Sequence, residues 1–258
     1  MNDNVYDSVL YTRLCELEAD DQPYELFQCE VSYVVKDGRH GLIQNNKFRP
    51  DGNIDYYANV ILECDFDNLY PLNEEGQLIV CINSGKLGLY KLVADTSRRS
   101  AAVQAKCILS CEYDRIEPMF HNCAIVLVSS GVEKRWLKPD SCKLSEAFYS
   151  IEPLNWQYVI CYNEAGRFLF DLYYEKCIYT IPAGWYCRYI CEKGCGDVFL
   201  LTHPEDEYGA EFAQQLLICE NQAESITLSP LANNISIHMM QGLVQPYLTR
   251  VELSFEDA

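Results

Sequence analysis

The chain has 258 residues, 49% of them hydrophobic, and carries 38 acidic against 20 basic residues for a formal net charge of −18 at pH 7. That charge repels nucleic acid and anionic membrane surfaces, so direct binding to either is not expected. The chain contains no apolar run of eighteen or more residues and opens on a polar, acidic segment. We therefore expect neither a membrane span nor a signal peptide, and we place the protein in the cytoplasm.

The first predicted unit, residues 1–58, combines two short patterns with one long insertion. Tyr6-Asp7-Ser8-Val9 has the form of a turn that leads into a strand, and residues 34–43 resemble the strand-turn-strand pattern found later at residues 82–90. The insertion, residues 45–59, combines Pro, Gly and Asn with aromatics, which suits a contact loop as well as plain solvent exposure. It supplies three candidate partner-binding residues, Phe48, Tyr56 and Tyr57.

Two stretches, residues 61–71 and 108–118, are nearly the same sequence at an offset of 47 residues. A repeat at this spacing is typical of one supersecondary unit copied along the chain. Alternating apolar and polar residues predict that each stretch contains a half-buried strand. In the second copy, three residues are expected on the apolar face: Leu109, Cys111 and Tyr113.

Each duplicated stretch is followed by the signals of a hairpin. An aspartate, Asp67 or Asp114, precedes a proline that cannot donate to a ladder, so the strand should end and turn there. A second apolar run then leads to a Ser-Gly pair, Ser84-Gly85 or Ser130-Gly131, and a third run follows. The pattern predicts a meander in the units 59–104 and 105–142, and weaker copies over 143–176 and 177–203.

The C-terminal segment, residues 204–258, has a different pattern. Tyr208, Phe212 and Leu216 recur at four-residue intervals behind an acidic first turn, which predicts an amphipathic helix over residues 208–218. Alternation over residues 249–255 predicts a final strand, able to pair with an N-terminal strand and close the array.

Together these elements predict an all-β protein with a single repeat domain over residues 1–258. Tandem antiparallel meanders of three to four strands would form it, arranged as a propeller-like ring or a stacked solenoid, with one C-terminal amphipathic helix.

The repeated residues resemble a known family. The string Ile-Leu-x-Cys-Glu-Tyr-Asp-x-Ile-Glu-Pro at 108–118, together with Gly-[Lys/Arg]-x-Gly-Leu at 38–42 and 85–89, resembles the bacterial WG-repeat proteins. The resemblance covers roughly residues 5–175, and His40 and Leu87 stand where that family has tryptophan. It implies a bacterial, all-β tandem fold and says almost nothing about activity.

Fourteen cysteines call for an explanation, because a cytosolic protein keeps its cysteines as thiols. Several occupy apolar strand positions, where a thiol behaves as a small hydrophobe: Cys64, Cys81, Cys111 and Cys161. The sharpest alternative is a metal site made by Cys187, Cys191, Cys195 and His203. Metal sites usually space their cysteines by two residues around a tight turn, so the three-residue spacing found here argues against a metal site. We predict neither a metal nor another cofactor.

No catalytic pattern is recognisable. The chain has no Gly-x-Ser-x-Gly elbow, no phosphate-binding Gly loop ending in Lys-Ser/Thr, and no His-Glu-x-x-His. A Cys/His site assembled from distant positions, for example around His121 or His203, stays open as an alternative. We expect no enzymatic activity and assign no catalytic residue.

The preferred function is therefore a non-enzymatic scaffold that binds a protein partner through its repeats. The alternative within the same class is an acidic mimic that occupies a basic cleft of a nucleic-acid-binding protein. The acidic candidates for partner binding are Glu74, Glu75, Glu112 and Glu117. Trp136, Trp156 and Trp185 are expected to pack inside, although any that face outward would serve as binding anchors.

Overall fold

The structure is a computed structural model that describes residues 6–18, 26–48, 54–95, 102–120, 123–193, 196–204, 213–220, 225–232, 234–241 and 248–256. Regular structure in these ranges is entirely β-strand, arranged as five four-stranded antiparallel sheets and one two-stranded sheet. The all-β, tandem-meander prediction is confirmed. The chain divides into two compact units, Met1–Ala147 and Phe148–Ala258. None of the described residues forms a helix with the length and hydropathy that crossing a membrane requires.

The first unit contains three four-stranded sheets, each formed by consecutive strands. Sheet 1 consists of β1 (Ser8–Glu18), β2 (Leu26–Lys36), β3 (Arg39–Phe48) and β4 (Ile54–Phe66). Sheet 2 consists of β5 (Asn68–Pro71), β6 (Leu78–Asn83), β7 (Lys86–Asp95) and β8 (Ala102–Tyr113). Sheet 3 consists of β9 (Arg115–Pro118), β10 (Val126–Ser130), β11 (Glu133–Lys138) and β12 (Lys143–Leu144).

The second unit contains two more four-stranded sheets and a two-stranded one. Sheet 4 consists of β13 (Ser150–Pro153), β14 (Tyr158–Asn163), β15 (Gly166–Asp171) and β16 (Lys176–Ile181). Sheet 5 consists of β17 (Tyr186–Lys193), β18 (Gly196–His203), β19 (Ala213–Glu220) and β20 (Ser225–Leu228). Sheet 6 consists of β21 (Asn234–Gln241) and β22 (Leu248–Glu256).

The duplicated stretches have the same conformation, as their similarity predicts. Each contains the end of a fourth strand, β4 or β8, then an aspartate, then the short first strand of the next sheet, β5 or β9. The boundary between sheets therefore lies inside the duplicated stretch, at Asp67 and at Asp114.

These aspartates fix the start of each sheet to the tip of its central hairpin. The backbone N–H of Asp67 donates to Ile82 O at 2.8 Å, and a carboxylate oxygen of Asp67 accepts the N–H of Ser84 at 2.6 Å. Asp114 makes the equivalent bonds to Ser129 O at 2.8 Å and from Gly131 N at 2.7 Å. The two carboxylates thereby hold the hairpin turns in place, and we call this arrangement the aspartate lock.

The lock recurs at the start of two more sheets. Asp7 N donates to Val35 O at 2.7 Å, and Asp7 accepts the N–H of Asp37 at 2.6 Å. In sheet 4 the equivalent residue is Tyr149, whose N–H donates to Tyr162 O at 2.7 Å while its hydroxyl donates to Glu164 at 2.9 Å. A tyrosine hydroxyl bonded to a turn side chain thus replaces the aspartate.

A glycine on the third strand lets the fourth strand bulge toward it. In sheet 2, Leu87 pairs with Tyr113 and Leu89 pairs with Leu109, so Gly88 alone faces the three residues 110–112. A side chain on Gly88 would lie 2.9 Å from the Cys111 sulfur. The bulge therefore needs glycine at position 88, because the Cys111 thiol occupies the space that a Cβ would fill.

The predicted face of Cys111 is wrong, because the bulge places this residue on the opposite face of sheet 2. Leu109 packs in the core between sheets 2 and 3, as does Tyr113, but Cys111 packs against the core between sheets 1 and 2. Its thiol donates to Cys81 O at 3.6 Å. Strict alternation fails here because three residues of β8 lie opposite the single residue Gly88 of β7, and Cys111, the middle one of the three, turns to the other side of the sheet.

Neighbouring sheets within each unit pack face to face. In the first unit, one core lies between sheets 1 and 2 and another between sheets 2 and 3. In the second unit, one core lies between sheets 4 and 5, and another lies on the far face of sheet 5, where Ala232 and Ile235 join it. Sheets 2 and 5 are therefore apolar on both faces.

The predicted C-terminal helix is wrong for the residues that can be compared. Residues 213–218 belong to strand β19, and residues 208–212 of that prediction lie outside the described ranges. Leu216 and Leu217 are adjacent in sequence and both are buried, one in each core beside sheet 5. A strand covered on both faces loses its two-residue alternation, which is why the apolar spacing suggested a helix.

The predicted final strand is confirmed as β22. It pairs with β21 in antiparallel register from Asn234 opposite Glu256 to Gln241 opposite Leu248. Pairing of this strand with an N-terminal strand does not occur among the described residues, where β1 pairs with β2.

Candidate functional site

The insertion at residues 45–59 lengthens a hairpin where a contact loop was expected. Phe48 is the last residue of β3, and Tyr56 and Tyr57 lie in β4. Asn46 pairs with Tyr56, and Phe48 pairs with Ile54. Phe48 and Tyr56 are therefore in a ladder, whereas Tyr57 falls where the register shifts, and the side chains of all three lie outside the described part of the chain.

The four acidic candidates fall into separate places. Glu74 and Glu75 lie in the connection between β5 and β6, where the carbonyl of Glu74 accepts from the Arg13 guanidinium and that of Glu75 accepts from Glu16 N at 3.4 Å. Glu112 lies in the bulge, near the opposite end of sheet 2. Glu117, on β9, accepts from Arg115 at 2.5 Å. These carboxylates do not converge on one point.

The candidate metal residues are also separated. Cys187 is buried in the core between sheets 4 and 5, whereas Cys191 is buried in the core on the other face of sheet 5. A register shift between Tyr189 and Cys191 causes this, because one extra residue reverses which face the strand presents. Cys195 lies outside the described residues. Among those that are described, no three His, Cys, Asp or Glu side chains form a group able to hold a metal ion.

The histidine and thiol groups proposed for a Cys/His site have ordinary surroundings where they are described. The His203 ring packs edge-on against Trp185 with 5.5 Å between centroids. Burial raises the pKa of the Cys187 thiol to about 12, and burial also raises the pKa of Cys219 to about 12. Such thiols stay protonated at neutral pH and are weak nucleophiles. His121 lies outside the described ranges.

The three tryptophans differ sharply in exposure. Trp136 is buried, at 5% exposed, and Trp185 is half-buried, as expected of residues that pack inside. Trp156 is 68% exposed, in the connection between β13 and β14. Trp156 therefore faces outward, which is the condition under which the sequence predicts a binding anchor.

Trp156 belongs to a group of aromatic residues at one end of sheet 4. Tyr173 is 65% exposed in the connection between β15 and β16, and its ring contacts that of Tyr174 edge-on, with centroids 4.8 Å apart. The two connections lie at the same end because Tyr158 pairs with Asp171 and Leu172 N donates to Gln157 O at 2.8 Å. Trp156 and Tyr173 each lie one residue beyond this last bonded pair, at the same end of the sheet. We call Trp156, Tyr173 and Tyr174 the aromatic end.

A buried carboxylate holds the aromatic end in shape. Asp171 is fully buried, and it is the only acidic residue so buried in the described chain. One of its oxygens accepts the N–H groups of Tyr173 at 2.8 Å and Tyr174 at 2.9 Å, and the other accepts from the Gln157 amide at 2.8 Å. Both connections that carry the exposed rings are therefore tied to one side chain.

A second carboxylate continues this network into sheet 5. The hydroxyls of Tyr158 and Tyr189 both donate to Asp197, at 2.5 and 3.1 Å. Burial, followed by the bond to Asp197, raises the pKa of the Tyr158 phenol far above its ordinary value. Both phenols consequently stay protonated and keep donating, which fixes the base of the aromatic end.

The aromatic end also includes a cation. The Lys176 ammonium lies 5.7 Å from the centre of the Tyr174 ring, within the range of a cation–π contact. Elsewhere in the same unit, the Arg167 guanidinium lies 5.5 Å from the centre of the Tyr186 ring. Tyrosine faces in this unit thus already accept positive charge.

Tyr173 and Tyr174 did not emerge from the sequence as site residues. The available signal was Asp171 followed at once by Leu172, Tyr173 and Tyr174, because an aspartate that accepts the next backbone N–H groups makes a tight turn and places the following rings at its tip.

Comparisons with known proteins add little. No protein-family model matches the chain, and no curated protein sequence matches it. Among solved structures, a dihydro-heme d1 dehydrogenase, NirN in complex with DHE, is similar with a TM-score of 0.25 and 14% sequence identity, over 85% of this chain. The match spans 46% of that protein's own length. A similarity this low supports no conclusion about fold or function.

Proposed function

We propose that the protein is a non-enzymatic, cytoplasmic repeat scaffold of the WG-repeat kind, and that it binds a protein partner through the aromatic end of sheet 4. The observation that carries the proposal is the exposure of Trp156 and Tyr173 on connections that a buried aspartate holds rigid.

Exposed aromatics of this kind are suited to protein recognition. Tryptophan and tyrosine are enriched among the residues that supply most of the binding energy in protein interfaces. A rigid presentation lowers the entropy lost on binding, because the loops need not be ordered by the partner. Asp171 and Asp197 therefore act as supports of the surface rather than as contacts.

The proposal favours the aromatic end over the acidic candidates. Glu74 and Glu112 lie near opposite ends of sheet 2, so a single compact partner surface would not cover both easily. Scattered exposed carboxylates are ordinary solvated surface and help keep an acidic protein soluble.

Site-specific photo-cross-linking tests the proposal. A photoreactive phenylalanine analogue replaces Tyr173 in the full chain, expressed in the cell that naturally makes it. The matched control places the same analogue at Tyr162, a 44% exposed tyrosine of the same sheet. We expect a discrete cross-linked protein from position 173 that is lost when Trp156→Ala is added, and none from position 162. Equal cross-linking from both positions, or none from 173, would refute the proposal.

A further inference from the structure

We infer that the aromatic end recognises an arginine-rich segment of the partner, with arginine guanidinium groups stacked on the exposed faces of Trp156 and of Tyr173. This inference rests on the proposed function and specifies the chemistry of the partner.

Charge is the first argument. The second unit, Phe148–Ala258, contains fifteen acidic and five basic residues, so a basic segment is drawn to it and an acidic one is repelled. At the aromatic end itself, the exposed Glu152 and the half-buried Glu175 accompany Lys176, while the other basic residue of these strands, Arg167, lies near the opposite end of the sheet. Attraction of this kind steers the approach of the partner without defining a contact.

The contacts already present in this unit give the second argument. Lys176 lies over Tyr174 and Arg167 lies over Tyr186, so two tyrosine rings of the unit hold a cation within 6 Å of their centres. Trp156 has the ring type that binds cations best, and at 68% exposure most of its surface is open to a partner.

The choice of arginine over lysine follows from shape. A planar guanidinium stacks on a ring and keeps its in-plane N–H groups for carboxylates, whereas an ammonium is a compact and strongly hydrated charge. Trp156 and Tyr173 lie on the two connections at one end of sheet 4, so an arginine-rich segment that crosses this end can contact both rings.

Peptide binding to the full chain tests this inference. The probe is a fluorescently labelled nine-residue peptide that contains four arginines, and the matched probe replaces each arginine with citrulline, which has nearly the same shape and no charge. Fluorescence anisotropy is measured at about 50 mM and about 300 mM salt, conditions that differ strongly in screening length.

We expect the arginine peptide to bind and the citrulline peptide to bind about ten-fold more weakly or not at all. The double variant Trp156→Ala/Tyr173→Ala should weaken arginine-peptide binding about ten-fold, while Tyr162→Ala should leave it unchanged. We expect each variant to fold, because the substituted side chains are exposed, and circular dichroism checks this.

Two results would overturn the inference. One is arginine-peptide binding that the double variant leaves intact, because the cation would then be held elsewhere on the acidic surface. The other is no binding of the arginine peptide at millimolar concentration. If cross-linking from position 173 persists in that case, the partner is not basic and the scaffold proposal stands. If that cross-link is missing while the peptide binds, the scaffold proposal fails instead.

Discussion

Substitution of Gly88 by alanine should destabilise the first unit through one local contact. The added Cβ would lie 2.8 Å from Leu109 O, 2.9 Å from the Cys111 sulfur and 3.0 Å from Cys111 N. Non-bonded carbon contacts are optimal at about 3.5 Å or more, so these atoms must move by about half an ångström. Two of the three are backbone atoms, so β8 itself has to shift.

The expected magnitude combines two opposing effects. Overpacking of a tight site costs about 1 to 3 kcal/mol. Replacement of glycine by alanine also reduces the entropy of the unfolded chain, which offsets about 0.4 to 1 kcal/mol. We therefore expect Gly88→Ala to lower the free energy of unfolding by about 1 to 2 kcal/mol, a sizeable share of the ordinary total.

A double-mutant cycle with Cys111 identifies the cause. Cys111→Ala removes the sulfur contact and leaves the two backbone contacts, so it should recover part of the loss in Gly88→Ala, with a coupling of about 0.5 kcal/mol or more. The control is Gly85→Ala, where a Cβ meets nothing within 4 Å but the backbone has a φ of +75°. That variant is strained for a different reason and should show no coupling to Cys111.

Urea unfolding measured by Trp136 fluorescence is the assay. Trp156→Phe and Trp185→Phe in every variant leave Trp136, which is buried in the first unit, as the only tryptophan. A wild-type midpoint for Gly88→Ala would refute the reasoning, and so would equal coupling of Cys111 to both glycines.

Three further predictions concern the aspartates and the thiols. The Gly131 N–H and Lys86 hold the pKa of Asp114 below its usual range. The Asp114 carboxylate therefore stabilises the fold at pH values above its unfolded-state pKa, and this stabilisation is lost as the pH falls through its folded-state pKa. The difference in Tm between wild type and Asp114→Asn should thus be present near about pH 7 and vanish below about pH 3. Asp171→Ala should destabilise the second unit by about 3 kcal/mol in urea unfolding, and Asp171→Asn by less because one acceptor oxygen remains. In mass spectrometry after brief alkylation, the exposed thiols of Cys107, Cys142 and Cys177 should be modified before three buried thiols whose pKa burial raises to about 12, those of Cys29, Cys187 and Cys219. Early modification of a buried thiol would contradict the packing described.

Local patterns were enough to predict most of the hairpins. Ser84 and Gly85 both have positive φ in the turn between β6 and β7, as the Ser-Gly pair indicated. Such signals are local, because turn geometry depends on the few residues that make it. The strand-turn-strand order of sheets 2 and 4 followed from them.

The wrong predictions concern residues whose environment is set by other strands, and those spatial neighbours cannot be identified from the local sequence. The strand β19 is covered by a core on each face, and its apolar residues therefore do not alternate. Cys111 changes face because Gly88 on another strand leaves space for it. The site was only partly predictable for the same reason, since the pairing of β14 with β15 is what places the connections of Trp156 and Tyr173 at the same end of the sheet.

The most regularly repeated contact of this protein lies at one end of its sheets. The aspartate lock recurs where a sheet begins and its central hairpin turns, at Asp7, Asp67 and Asp114, and it keeps one fold from copy to copy. The connections at the other end of the sheets repeat only in part. The segments between β5 and β6 and between β13 and β14 both begin with Leu-Asn and end with Gln, but the first has residues 74–76 between them and the second has Trp156 alone. A feature that every copy needs for folding is expected to recur, whereas a binding surface needs to exist only once. Trp156 occupies the part of its connection that differs between the copies, so it is free of the folding constraint that the lock imposes, and the bonds to Asp171 give both connections the rigid support that the proposed recognition requires.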